Sequence, residues 1–94
     1  MKPSWVYILT NKNHTVLYVG VTVRLKHRIT DHKNGNGSVF TKRYHVNKLV
    51  YFESHTHVLR AIDREKRIKG GSRARKIKLI ESINPEWKDL YDEL

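Results

Sequence analysis

Five side chains stand out by type and spacing: Tyr7, Tyr18, Arg28, His32 and Glu65. Glu65 falls four residues after Ala61, three after Ile62 and three before Ile68, inside the apolar stripe of an amphipathic helix. A lone carboxylate there costs several kcal/mol or takes up a proton, so it needs a cation. That cation is either Arg28, in a structural ion pair, or a metal ion. Arg28 and His32 are four apart and share one helix face. A guanidinium matches the fork geometry of a phosphate, whereas an isolated surface arginine is only solvated. Tyr7 and Tyr18 lie in two short apolar runs, where facing phenols either handle protons or merely stabilise a sheet. Together these groups can hold a hard cation, grip an anion and position a water.

Positioning them falls first to a hairpin. The runs Trp5–Leu9 and Val16–Gly20 are β-branched and aromatic, and Asn11-Lys12-Asn13-His14 between them supplies turn formers. A turn centred between Lys12 and Asn13 sets Tyr7 directly opposite Tyr18. A basic helix from Val23 to Lys33 follows, with Thr22 as its cap and Leu25 and Ile29 as its apolar stripe. Asn34 to Ser38 is a loop, and Val39 to Tyr44 reads as a short helical turn or a packed connector. Its mixture of Phe40, Lys42, Arg43 and Tyr44 suits nucleic-acid contact. Val46 to Glu53 is a third strand.

A second long helix runs from a Thr56 cap to Lys69, ahead of Gly70-Gly71, with Asp63 on its polar side. Ser72 caps a third helix through Ile83, with Ile77, Leu79, Ile80 and Ile83 facing inward. Asn84-Pro85-Glu86 has the chemistry of a last short helix start, packed back by Trp87, Leu90 and Tyr91.

With 94 residues, the expectation is one domain over 1–94 with a thin core. Lys and Arg number 19 against 9 acids, and the excess is concentrated: the net charge is +13 up to Ile83 and −3 beyond it. Such a body attracts polyanions, nucleic acid first. The basic side chains expected on it are Arg24, Lys26, Lys33, Lys42, Arg43, Lys69, Arg73, Arg75 and Lys76. Without cysteine there is neither a disulfide frame nor a thiolate metal site. The six histidines are scattered and show no zinc spacing. No apolar run approaches the ~20 residues of a membrane span, and no signal-peptide core is seen. A cytoplasmic protein with no membrane partner is expected.

In this order, Val6-Tyr7-Ile8, Tyr18-Val19-Gly20, Arg28, His32 and Glu65 within Arg64–Lys69 resemble the GIY-YIG nuclease superfamily, in its small single-domain UPF0213 branch. The stretches Ile68–Ala74 and Asn84–Leu90 also resemble that branch. The resemblance implies an α+β fold, with a central three-stranded antiparallel sheet flanked by helices. It implies endonucleolytic hydrolysis of DNA phosphodiesters with one Mg²⁺ (or Mn²⁺) per site. Glu65 would be the metal ligand and Arg28 the phosphate clamp. Tyr7 and Tyr18 would orient or deprotonate the attacking water, and His32 would stand near the water or the leaving group. Gly20 and Asn84 would support the site. Val6 replaces the first glycine of the motif, and Val21 stands where some repair nucleases carry a lysine. The resemblance further implies a monomer or weak dimer acting on DNA in repair or recombination, selective through DNA structure or a protein partner. The charge balance with Val21 also fits a nucleic-acid-binding module with weak or lost catalysis.

Overall fold

The computed structural model describes residues 2–94. Three strands, β1 (Ser4–Thr10), β2 (Leu17–Thr22) and β3 (Lys48–His55), form one antiparallel sheet in the order β2-β1-β3. The helices are α1 (Leu25–Lys33), α2 (Val39–Arg43), α3 (Val58–Gly70) and α4 (Arg73–Ile83), and a 3₁₀ turn spans Leu90–Glu93. The fold is α+β, a three-stranded antiparallel sheet flanked by helices. Among the described residues no helix is long and apolar enough to cross a membrane.

The central strand explains the layering. β1 is covered on both faces, and Val6 through Leu9 are all buried. Alternation sends Val6 and Ile8 to one face, with Val19, Ala61, Ile68 and Ile80 of β2, α3 and α4. It sends Tyr7 and Leu9 to the other face, with Leu25 and Ile29 of α1 and with Leu90. Tyr7 therefore belongs to the α1 side of the sheet.

The hairpin differs from expectation in register. Tyr7 pairs with Gly20, and Leu9 pairs with Tyr18. The turn is centred between Asn13 and His14. Asn11 sets this longer loop: its side-chain oxygen accepts from the amides of Thr15 and Val16 at 2.8 and 3.1 Å, and its carbonyl accepts from His14 N. His14 adopts a φ of 58°. The shift of two residues preserves parity, so Tyr7 and Tyr18 still share a face, as diagonal neighbours.

Other boundaries also moved. The Thr22 hydroxyl accepts from Arg24 N at 3.1 Å, and α1 begins at Leu25 rather than Val23. α3 begins at Val58 without the expected Thr56 cap. Ser72 does cap α4, accepting from Arg75 N. Ile83 is exposed, while Ile80 is buried and Leu79 packs half-buried against the same cluster.

The expected helix start at Asn84 is not formed. Asn84 is the C-cap of α4, and its side chain is spent on backbone. A bulge between Ile8 and Leu9 leaves Val50 of β3 without a partner on β1. The Asn84 amide donates to the Val50 carbonyl at 3.1 Å and to Lys88 O at 2.8 Å, and its oxygen accepts from Lys88 N at 3.0 Å. Asp89 then accepts from Leu49 N at 3.2 Å. The C-terminal segment thus satisfies polar groups that the bulge frees. Asn84→Ala removes a buried donor and strands the Val50 carbonyl. It should lower stability by about 1–3 kcal/mol, read as a drop in urea midpoint at unchanged slope.

Candidate active site

Tyr7 is almost wholly buried, and its ring lies over Gly20. A Cβ at Gly20 would overlap the Tyr7 ring and hydroxyl, so only glycine admits the phenol here. The Tyr18 ring lies 6.4 Å from Tyr7, tilted by 39°. The His32 ring meets both edge-on, at 5.8 Å from Tyr7 and 5.6 Å from Tyr18. His32 reaches them because Leu25, Ile29 and His32 follow a helical spacing and form the buried stripe of α1. Gly37 lets the loop close over His32, since a Cβ there would strike the imidazole.

Hydrogen accounting fixes the direction of each bond. Among the described residues, the Tyr7 hydroxyl has one hydrogen-bonding neighbour that can accept, His32 Nε2 at 3.1 Å. The nearby Arg28 guanidinium can only donate. A phenol only 1% exposed cannot leave its hydrogen to solvent, so Tyr7 donates to Nε2. A neutral imidazole then carries its proton on Nδ1, which donates to Thr41 Oγ1 at 3.0 Å. Thr41 passes its own hydrogen to the Ser38 carbonyl at 3.3 Å. Ser38 Oγ donates to Thr41 Oγ1 at 2.9 Å and accepts from Thr41 N, capping α2. Nothing in the spacing marked Thr41, which is nine residues from His32. The only local signal was a Ser-x-x-Thr at a short helix start.

The electrostatics match this neutral arrangement. Burial pushes the Tyr7 phenol up to about 12, with Tyr18 adding to the rise; Arg28 opposes it and Glu65 reinforces it. Burial, and then Arg28, hold His32 down at about 4, against a smaller opposite pull from Asp31. A histidine depressed in the fold contributes stability that is complete above its unfolded value, near 6.5. That stability is lost as the pH falls toward about 4.

Arg28 is half-buried. Its Nη2 donates to the Gly37 carbonyl at 2.9 Å, which ties the loop to α1 and leaves the rest of the guanidinium beside Tyr7. Glu65 is half-buried on the α3 face between the buried Ala61 and Ile68. The structural ion pair with Arg28 is not formed. Among the described residues, no cation lies within ion-pairing distance of the Glu65 carboxylate. By contrast Glu53, on β3, is saturated by Tyr51, His55 and Arg64. An unpaired carboxylate in so basic a chain has a donor set that fits a hard divalent cation. Mg²⁺ is commonly held by one or two carboxylates, with waters and substrate phosphate completing the shell. Among the described residues there is no cluster of three or more histidine, cysteine or acidic side chains that could hold a metal ion.

The expected nucleic-acid cations divide into two groups. Lys33 is a strut: its ammonium donates to Asn47 O at 3.0 Å and to Asp89 at 2.6 Å. Arg73 donates to the His14 carbonyl at 2.7 Å, tying α4 to the hairpin loop. Lys76 binds the carbonyls of Lys69 and Gly71 at the end of α3. Arg24, Lys26, Lys42, Arg43, Lys69 and Arg75 are exposed, and none belongs to an ion pair among the described residues. Asn84 serves β3 and the C-terminal segment, as described above.

A three-stranded antiparallel sheet with helices on both faces thus carries this set of Tyr, Arg, His and Glu. Residues 3–78 match the family described as the GIY-YIG catalytic domain. A UPF0213 protein from Clostridium perfringens is 42% identical over 91 residues, covering 97% of each chain. One from Syntrophus aciditrophicus is 39% identical over 87 residues, covering 92% of this chain and 98% of its own. The solution structure of a UPF0213 protein from Bacillus halodurans is similar, with a TM-score of 0.59 and 26% identity over 93% of this chain and 92% of that one. The chain belongs to the GIY-YIG family and, within it, to the UPF0213 group.

Ring ¹⁵N NMR checks the hydrogen accounting. At neutral pH, His32 should show a protonated Nδ1 and a bare Nε2, with a titration midpoint near 4. Thr41→Ser should keep that tautomer, because the Tyr7 hydroxyl still requires a bare Nε2. A protonated Nε2 in the wild type would contradict the assignment.

Proposed function

We propose that this chain is a divalent-metal-dependent endonuclease that hydrolyses DNA phosphodiester bonds, selecting DNA by its structure in repair or recombination. The observation that carries this reading is the Glu65 carboxylate. It stands unpaired on an apolar helix face, close enough to Tyr7 to raise its pKa, while Arg28 faces the same phenol.

Glu65 would hold one Mg²⁺ or Mn²⁺, which when bound supplies charge neutralisation at the phosphate and a more acidic water. Arg28 would grip a non-bridging phosphate oxygen with the donors left free by Gly37. Tyr7 stays protonated at neutral pH, and its hydrogen is directed at His32. In this reading Tyr7 is a positioning phenol whose hydrogen is directed to the His32 ring. Tyr18 is the more open of the two and is the phenol able to meet the attacking water. Thr41 and Ser38 hold the imidazole in the tautomer that accepts from Tyr7.

A second reading, a nucleic-acid binder with weak or lost catalysis, is favoured by Val21 and by the elevated Tyr7. Cleavage of plasmid, branched and single-stranded DNA with Mg²⁺ separates the two. Glu65→Gln should cost on the order of 10²–10³ in rate, the loss typical of removing one transition-state stabiliser, while DNA affinity in EDTA persists. Equal nicking by both forms removes the metal-site reading. Salt-sensitive binding without product from the wild type establishes the binder instead.

A further inference from the structure

The outer face of α2 carries a contiguous exposed patch that neither the fold nor the proposed chemistry requires. Val39 is 86% exposed, and Phe40 and Tyr44 are each 45% exposed. These two rings are four residues apart on one helix face, with centroids 5.0 Å apart. Phe40 in turn stacks on Tyr18, at 6.2 Å and 25°. Tyr18 touches the Tyr7–His32 cluster, so an aromatic row runs outward from the candidate active site. At its far end the Arg43 guanidinium lies over Tyr44, 5.5 Å from the ring centre. Along its flank is a groove of about 340 Å³ lined by Leu17, Tyr18, Val19, Phe40, Lys69 and Lys76.

We propose that this row, Tyr18–Phe40–Tyr44, is a stacking shelf for unpaired nucleotide bases, with Lys69, Lys42 and Arg43 along the phosphate backbone. The shelf rests on the nuclease reading for its place beside the cleaved bond, and names the substrate form as single-stranded. Exposed rings interleaved with cations are what unstacked bases and their phosphates recognise. Bases inside a duplex are already stacked on each other and offer no face to such a row. The charge points the same way, since the chain is +13 before its acidic C-terminal stretch and the shelf's cations are unpaired among the described residues. A second copy of so basic a chain would bring like charges together.

The inner face of the same helix serves the site. Thr41 of α2 bonds His32, while its neighbour Phe40 faces outward. A five-residue helix thus has one face on the catalytic candidates and the other open to substrate.

Binding is measured in EDTA, so no cleavage is needed. The probes are a fluorescein-labelled oligothymidylate and a blunt duplex of equal length. The wild type should prefer the single strand. Phe40→Leu with Tyr44→Leu keeps apolar bulk without π-faces, and should weaken single-strand binding about ten-fold or more while changing duplex binding less than two-fold. A 2-aminopurine placed in the oligothymidylate should be quenched on binding the wild type. Equal binding of single strand and duplex, equal losses on both, or unquenched 2-aminopurine overturns the shelf. So does a wild-type dimer that the double variant dissociates, which would make the patch a self-interface. Mg²⁺-dependent nicking indifferent to the two rings overturns the shelf alone. Shelf-dependent binding with no nicking overturns the nuclease reading alone.

Discussion

A phenol at the centre of a sheet covered on both faces must find an acceptor, and among the described residues Tyr7 finds it in His32. Much of the local architecture serves that bond. Gly20 is a glycine because the ring lies on it, and Gly37 is a glycine because the loop passes over the imidazole. α1 presents His32 within its buried stripe, and α2 is pinned beneath it through Thr41. An unsatisfied buried donor costs about 1–3 kcal/mol, so loosening any of these partners is paid at the Tyr7 hydroxyl.

Two opposite charges act on the Tyr7 phenol. Arg28 eases ionisation of Tyr7 and Glu65 resists it. They do not cancel each other directly, because Arg28 is tied to Gly37 and Glu65 has no cation partner among the described residues. In the function proposed above, Glu65 would hold the cation and Arg28 the phosphate, each left available by the absence of a direct pair between them among the described residues.

Periodicity made part of this legible. Glu65 was visible because a carboxylate interrupts a helical apolar stripe, and the sharing of a face by Tyr7 and Tyr18 survived because sheet parity tolerates a two-residue shift. The register itself depended on Asn11 bonding two amides, which composition does not reveal. Thr41 and the Val50 bulge were hidden because both arise from contacts made only in the assembled fold. Asn84 carried the chemistry of a helix start, and tertiary demand for a donor at Val50 took it instead. Charge counting does not reveal that Lys33, Arg73 and Lys76 also bond backbone or Asp89.

The central claim is that the Glu65 carboxylate and the Tyr7–His32 pair face one cation-binding space. Paramagnetic line broadening by trace Mn²⁺, read by NMR on the DNA-free protein, tests it most directly. Broadening should centre on Glu65 and extend to the Tyr7, Tyr18 and His32 ring signals, and should vanish at those rings in Glu65→Gln. Broadening confined to the acidic C-terminal residues, or ring broadening unchanged in Glu65→Gln, would contradict the account.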